Sequence, residues 1–454
     1  MELVPLSWIE TGILLALLGA CWTAAAPATE ASRGRAILCS GLVFLAAAVA
    51  CADFYWWGSL AATNGFQLAP ALGAPGAMAI DNLNAPLLPL TALIFLVTIL
   101  VTLRTKVRRF SFARTLVTES MVLATLCSSA GWLLVMLLVA ALAPPWRELR
   151  ARGQSRRVFA IHSAAFAAFL VIGWRLVEVG NETGYILVAA GIAIRAGLAP
   201  AHCWVTDLFE KGALGTALLT MAPMTAAYAA LRLLAPAAPE PVLAVLAVAA
   251  ACTAVYAAGM ALVQTRARRF LCFLFLSHSA LVFAGIALST ALSLTGGLSL
   301  WISVMLAMTG LGLTLRSLEA RTGRVSLRRY LGFHSQTPML AAFFLITGLA
   351  AVGFPGTIGF FGAEMLVDGA GSVAIPIGVA VVLASALNSI SVVRAYAILF
   401  LGTRHPGTAN LGCRRSERLA ILTLTLLLVG GAVWPQAGIE SRFDAARQLL
   451  RLRR

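Results

Sequence analysis

Apolar stretches of about 20 residues, the length that an α-helix needs to cross a bilayer, recur from one end of this chain to the other. No other feature limits the possible fold so strongly. The chain has 454 residues, of which 60% are hydrophobic and 11% charged, and its mean hydropathy is +0.90. Ordinary soluble domains carry about 25% charged residues. The sequence therefore predicts an all-α polytopic membrane protein.

We predict fourteen membrane spans. Span five is short and ends at Pro144 and Pro145. After span fourteen, residues 437–454 have the amphipathic pattern of a helix that lies along a surface. The predicted spans are approximately residues 5–26, 36–57, 85–104, 113–130, 131–144, 158–177, 184–202, 213–234, 241–263, 270–290, 295–315, 338–355, 374–401 and 418–434.

The lysines and arginines outside the tail fall almost entirely in one set of alternate loops, and the other set holds only Arg175 and Arg232. Such asymmetry marks the cytoplasmic side of a membrane protein. We therefore expect a multi-pass protein of the bacterial cytoplasmic (inner) membrane with both termini outside. The net charge of +16 then reflects topology and surrounding lipid, and we expect no nucleic-acid partner. The arginines of the tail fall on the predicted outer side, which this rule does not explain.

Catalytic and metal-binding patterns are missing from the sequence. The eight cysteines are scattered through apolar runs without CxxC or Cys/His spacing, as expected for small buried residues. No Gly-rich phosphate loop or nucleophile–base pair occurs. We therefore expect neither catalysis nor a cofactor in this chain.

Span seven departs from a simple apolar helix. The stretch IAIRAGLAPAHCWVTDLFE (192–210) places Arg195 in the apolar run, and Pro200, His202 and Asp207 follow. A charge at mid-membrane usually faces a cavity or a partner, and Pro breaks the helical hydrogen-bond ladder. Transporters build ion sites at such broken helices. The alternative is that Arg195 extends to the interface from a kinked structural helix.

Span twelve repeats this arrangement. In AVGFPGTIGFFGAEMLVDG (351–369), Pro355 interrupts the apolar run and Glu364 follows. Two broken helices five spans apart predict two five-helix repeats, spans four to eight and nine to thirteen, which are inverted because five is odd. Chance placement of two prolines is the alternative. The predicted domains are the first three helices (1–112), the first repeat (113–234), the second repeat (235–402), and the last helix with its tail (403–454).

Ionisable residues are rare in the spans, so each is a candidate for an ion pathway. We predict that Arg195, His278 and Glu364 lie on one buried polar axis that links the two broken helices. Alternatively, His278 is a hydrogen-bonded core histidine and Glu364 pairs with Arg394. The predicted pathway residues are Arg195, His278, Glu364, Glu119, Arg394, His202 and Asp207, with helix breaks at Pro200 and Pro355.

Four segments resemble one family when taken in order. They are AIDNLNAPLLPL (79–90), GIAIRAGLAPAHCWVTD (191–207), RRFLCFLFLSHSALVF (268–283) and GFPGTIGFFGAEMLV (353–367). They are similar to motifs of the antiporter-like membrane subunits of respiratory complex I and Mrp cation antiporters. The resemblance implies fourteen helices with two inverted repeats, and translocation of an ion, most simply a proton, within a multi-subunit complex.

The chain also departs from the family pattern. The acid of span five is missing from GWLLVMLLVAALAPP (131–145), and Arg195 replaces a lysine. Thr220 stands where the family has a histidine, and Ser299 and Ser303 lie where it has a histidine and a lysine. These departures favour an alternative function, a membrane scaffold that anchors partner subunits without conducting ions.

Within the family, the segment WRELRARGQSRRVFAIHSAAFAAFL (146–170) is similar to the basic loop of DabB-type subunits. That resemblance implies energy-coupled inorganic carbon uptake with a large soluble, zinc-containing, carbonic-anhydrase-like subunit of the DabA type. The zinc would lie on that partner. The alternative partners are other membrane subunits of a complex I or hydrogenase type redox complex.

Overall fold

The protein is described here from a computed structural model over residues 7–26, 30–57, 77–103, 110–402 and 412–453. We number the helices by predicted span and use a and b for pieces of one span. They are α1 Trp8–Ala24, α2 Glu30–Ala52 with a π-helical turn Asp53–Trp57, α3 Leu87–Leu100, α4 Phe112–Cys127, α5a Gly131–Ala140, α5b Ala143–Ala151, α6 Arg157–Glu178, α7a Thr183–Ala196, α7b Cys203–Lys211, α8a Leu214–Met221, α8b Thr225–Ala229 with a π-helical turn Ala230–Leu234, α9 Glu240–Val263, α10 Ala267–Ala287, α11 Ala291–Thr322, α12a Pro338–Ala351, α12b Ile358–Gly371, α13 Ile375–Phe400, α14 Arg415–Val433 and α15 Pro435–Arg453.

The predicted fold class is confirmed. Within the described residues, nine helical segments are long and apolar enough to cross a membrane, and α1, α3, α7a and α12a are shorter apolar helices. α4, which carries Arg114 and Glu119, completes the fourteen predicted segments. The only β-structure in the described ranges is two isolated bridges, Met78–Ser128 and Arg266–Ser326. The elements therefore follow the predicted order.

The centre of the bundle is formed by α10 and α11. The apolar window of α10 is entirely buried, as a helix that is hydrophobic all round should be. Small residues let these helices approach closely: a Cβ added to Gly285 of α10 would lie 2.9 Å from the Cα of Gly297 of α11. Membrane helices use such contacts because packing replaces the hydrophobic driving force there. α10 also packs against α9, α7b and α13, so its side chains contact protein rather than lipid.

Both predicted breaks are present, and both begin with the same motif. α7a is followed by Gly197 with φ of 75°, and α12a is followed by Gly353 with φ of 74°. The next residue in each case donates its N–H back into the last turn: Leu198 to the Ala193 carbonyl at 2.9 Å and Phe354 to the Leu349 carbonyl at 3.0 Å. This Schellman arrangement ends a helix and satisfies its carbonyls. Pro200 and Pro355 lie in the linkers that follow.

Span five is longer than predicted. The sequence placed its end at Pro144, but the helix restarts as α5b with Pro144 and Pro145 in its first turn. Proline is tolerated there because the first N–H groups of a helix have no intrahelical partner. The two pieces together form a candidate span of 21 residues, Gly131–Ala151.

The tail forms the predicted amphipathic helix, α15, and its first arginine is buried. Arg442 is 1% exposed and donates to the carbonyls of Leu83 at 2.9 Å and Asn82 at 2.5 Å. Arg447 lies over the ring of Phe443. The charge of Arg442 therefore has a structural role. The distribution of lysine and arginine among the loops could not predict this role.

Candidate functional site: a buried arginine at a broken helix

Arg195 lies in the last turn of α7a and is 5% exposed, so the alternative in which it extends to an interface is wrong. Its guanidinium contacts the Thr220 carbonyl at 3.3 Å, the Thr225 Oγ1 at 3.4 Å and the Met221 Sδ at 3.7 Å. These contacts are long for charge-assisted hydrogen bonds. No carboxylate pairs with Arg195 among the described residues. The site thus holds a buried positive charge that is only weakly compensated.

Trp204 of α7b fixes the break beside this arginine. Its indole N–H donates at 2.8 Å to the Ile194 carbonyl near the end of α7a, which also accepts from the Gly197 N–H at 3.1 Å. Its ring lies 5.5 Å from the Arg195 guanidinium carbon, within the range of a cation–π contact. On the other side of the linker, the Ala199 N–H donates to Thr253 Oγ1 at 3.0 Å. The Pro-containing linker is therefore held from both sides.

Span eight contains a third interruption, which the sequence analysis missed. α8a ends at Met221, Met224 has φ of 49°, and α8b begins at Thr225. Pro223 has no N–H, and the Met224 N–H donates to the Met221 carbonyl. The Thr220 carbonyl is thereby free to contact Arg195, and the Pro223 carbonyl accepts from Trp301 Nε1 at 3.2 Å. Pro223, which cannot donate a backbone hydrogen bond, was the residue from which this interruption could have been predicted.

Two small cavities flank the guanidinium. One, of about 10 Å³, is lined by Arg195, Met224, Thr225, Phe275 and Ser279, among others. The other has the same volume and lies towards α6, where His162 lines it with Ser163. About 10–15 Å³ is the space for one water molecule. Arg195 thus lies between two small cavities, one towards His162 and one towards α10.

His278 is 1% exposed, and neither ring nitrogen has a hydrogen-bond partner among the described residues. The alternative of a hydrogen-bonded core histidine is therefore wrong. His278 does not line the cavities at Arg195; it precedes Ser279, so its side chain points about 100° away around the helix. The preceding residue, Ser277, accepts from Asn388 of α13 at 2.8 Å, a buried polar pair that the sequence analysis did not select.

Glu364 is on the surface of α12b rather than in the core, as is Asp368 one turn later. The prediction that it shares a buried axis with Arg195 and His278 is therefore wrong. The side of α12b that packs on α11 carries small residues instead, Gly362 and Gly369 among them. Glu364 does not pair with Arg394 within the described residues; Arg394 donates to the Gln264 carbonyl at 3.4 Å.

Glu119 of α4 is fully buried. Ser40 of α2 donates to its Oε1 at 3.0 Å, whereas its Oε2 has no partner among the described side chains. The carboxyl group lies between the first helices, away from both broken spans. It belongs to the same class as His278, a buried ionisable group with unused hydrogen-bonding capacity.

The remaining candidates, His202 and Asp207, lie at the start of α7b and within it. His202 is half-buried between Tyr256 and Phe273, and its Nε2 is 3.3 Å from the Tyr256 hydroxyl. Asp207 forms an ion pair with Lys211 at 2.6 Å, one turn along α7b. No group of three His, Cys, Asp or Glu residues in the described ranges could hold a metal ion.

Comparison with known proteins identifies a family whose sequence profile matches this chain. The sequence profile of the family described as "NADH:quinone oxidoreductase/Mrp antiporter, TM" matches residues 157–388, about half of the chain. The chain is also similar to NADH-quinone oxidoreductase subunit 13 of Thermus thermophilus, with 32% identity over 188 residues, 40% of each protein. It spans about half the length of the first curated relatives that it matches.

Solved structures match over nearly the whole chain. One is a chain of respiratory complex I from Thermus thermophilus, with a TM-score of 0.84, 24% identity and coverage of 98% of this chain and 99% of that one. Another belongs to the Mrp complex from Dietzia sp. DQ12-45-1b, with a TM-score of 0.82, 20% identity and coverage of 98% and 97%. At these identities the likeness shows the fold.

Proposed function

Because the chain belongs to the NADH:quinone oxidoreductase/Mrp antiporter family of membrane subunits, we propose that it carries protons across the membrane as one subunit of a multi-subunit complex. The observation that carries this proposal is the buried, weakly compensated charge of Arg195 at the break of span seven, with a cavity on either side. A buried charge without a carboxylate is costly, and residues of this kind in membrane helices usually mark an ion path.

Arg195 and His278 have different roles in this proposal. The guanidinium keeps its charge at any accessible pH, so it acts as a fixed positive field. An imidazole ring can take up a proton at one nitrogen and release one from the other, so His278 is the relay in this proposal. A proton that arrives at His278 is repelled by the fixed charge beyond Ser279, and this repulsion favours its onward release. Glu119 serves as a second relay near the first three helices.

Proton uptake into liposomes tests this proposal. We expect His278→Ala to abolish uptake by the purified, reconstituted complex, measured with a pH-sensitive dye, while all subunits still co-purify. His334→Ala is the matched control, because His334 is an exposed histidine outside the spans. Wild-type uptake by the His278 variant would contradict a relay at this residue and would favour the scaffold function.

The scaffold alternative rests on two observations: Glu148, the acid that span five does contain, is held in ion pairs by Arg114 and Arg152, and Glu364 is outside the core. Under that function the subunit would hold its partners together without moving ions. Loss of this chain would then dissociate the complex, whereas every single substitution at Arg195, His278 or Glu119 would leave ion movement unchanged.

We propose further that other membrane subunits cover the outer side of α12b. Glu364 and Asp368, four residues apart, share one face of this helix, and both are exposed. Carboxylates facing lipid are unfavourable, so a neighbouring helix with a basic or hydrogen-bonding side chain is the expected cover. We expect Glu364→Leu to weaken co-purification of the partners without lowering the melting temperature of the isolated subunit. Glu182→Leu, in an exposed loop, is the control; unchanged co-purification in both would contradict this interface.

The inorganic-carbon function and its carbonic-anhydrase-like, zinc-containing partner stay predictions that rest on the basic segment 146–170. Co-purification distinguishes them. A large zinc-containing soluble subunit would support carbon uptake, and a set of redox subunits would support a complex I type assembly. Residence in the inner membrane with both termini outside also stays a prediction.

A further inference from the structure

Two adjoining cavities open at the ends of the helices on the side of the basic loops. Their volumes are 250 and 500 Å³, and they share Arg268, Glu319 and Arg324 in their linings. Among the residues that the structure describes, two acids line them, Glu210 and Glu319. The arginines that line one or both are Arg152, Arg266, Arg268, Arg316, Arg324 and Arg328.

The two acids do not neutralise these arginines. Glu319 is fully engaged by Arg268, whose Nε and Nη2 donate to it at 2.8 and 2.6 Å. Glu210 is shared by Arg266 at 3.0 Å and Arg324 at 3.9 Å, and also by Arg269 outside the cavities. An excess of positive charge therefore remains in the lining.

Arg316 is the clearest uncompensated cation. Its guanidinium donates to the Thr98 carbonyl at 2.9 Å and to Thr102 Oγ1 at 2.8 Å, and it stacks on Phe110 at 4.7 Å. No carboxylate forms an ion pair with it among the residues that the structure describes. Neutral partners orient this guanidinium and leave its charge available to an anion.

The rim of the larger cavity is fixed by backbone contacts. The Ala267 N–H donates to the Val325 carbonyl at 3.2 Å, and the Leu327 N–H donates to the Thr265 carbonyl at 2.7 Å. Arg324 donates to the Glu210 carbonyl at 2.7 Å. Partial burial, followed by the like charge of Arg268, lowers the pKa of Arg324 from its ordinary value. Arg324 is therefore held in the lining of both cavities before any ligand arrives.

We propose that the smaller of the two cavities binds a phosphate-type oxyanion through Arg316 and Arg324, which both line it. The planar guanidinium group matches the oxygens of a phosphate, and several such groups in a preformed cavity are the usual basis of phosphate recognition. The ligand is either free inorganic phosphate or the phosphodiester of an acidic phospholipid, since the cavity lies at the ends of the spanning helices. Binding would join α10 and α11 to α3 and the α7b–α8a turn. It does not depend on proton transport.

Thermal unfolding of the purified complex in neutral detergent tests this proposal. Three probes are titrated at constant ionic strength: inorganic phosphate, short-chain phosphatidylglycerol, and short-chain phosphatidylcholine as the neutral lipid. We expect saturable stabilisation by phosphate, by phosphatidylglycerol or by both, and none by phosphatidylcholine. Stabilisation by phosphate identifies the free anion as sufficient, and stabilisation by phosphatidylglycerol alone identifies the lipid.

Substitutions decide whether the effect arises in this cavity. Arg316→Gln and Arg324→Gln should each weaken the apparent affinity roughly tenfold or more, as expected for loss of a hydrogen bond to a charged group. Arg324 is the safer of the two for folding because its side chain is 56% exposed. Arg415→Gln removes an exposed arginine outside the cavities and should leave the affinity unchanged. Equal affinity in the Arg324 and Arg415 variants, or no saturable response to either anion, would overturn the proposal.

Discussion

At the scale of single residues, Arg195 offers the sharpest test because its charge and its volume can be separated. Arg195→Met keeps an apolar side chain of similar length in a site whose present contacts are long, 3.3–3.7 Å. Replacing a weakly compensated buried charge with an apolar group is often neutral or stabilising. We therefore expect an unchanged or higher melting temperature together with loss of proton uptake. Arg195→Lys should retain part of the uptake, since a buried lysine keeps a cation that can lose its proton. Full uptake by the methionine variant would show that the fixed charge is unnecessary.

Some of these residues could be identified from the sequence alone. Others could not, because their surroundings depend on how the helices pack. Arg195 and Pro200 were predictable, since a cation and a proline inside one apolar run contradict a simple helix. The exposure of Glu364 was not predictable, because its direction depends on how α12b rotates against α11. The Thr220 carbonyl was also hidden, because backbone groups become available only where Pro223 interrupts span eight.

At the scale of elements, the two breaks depend on glycine in the left-handed region. Gly197 has φ of 75°, and a Cβ there would lie 2.7 Å from Val205 Cγ2 and 2.9 Å from Leu276 Cδ2. Gly356 has φ of 90° but open space around it. Gly356→Ala should therefore cost only the backbone strain, roughly 1–2 kcal/mol. Gly197→Ala adds a steric clash with Val205 and Leu276, so the melting temperature of this variant should fall further. Equal melting temperatures for these two variants would mean that the break at span seven relaxes freely.

At the scale of the whole molecule, the predicted topology is open to direct test. We expect cysteines placed at Ser155 and Ser326, both exposed, to react with an impermeant maleimide only from the cytoplasmic side, and Glu182→Cys only from the outside. The background must lack the native cysteines, because Cys21, Cys203 and Cys252 are exposed. Labelling of Ser155→Cys in intact cells would show that the orientation is the opposite of the predicted one.

The order of the fourteen segments was predictable because the charge of each loop constrains the placement of its neighbours. The burial of Arg442 was not predictable, because its partners are distant in sequence.

The contact between Arg442 and the Leu83 carbonyl spans 359 residues. A ribosome that adds about 5–20 residues per second needs roughly 20–70 s to make the intervening chain. During that interval the Asn82 and Leu83 carbonyls lack the guanidinium that they accept from in the finished protein. The first helices therefore enter the membrane well before the last helix closes over them. The packing of α15 on the Asn82 and Leu83 carbonyls therefore cannot form until Arg442 has been synthesised.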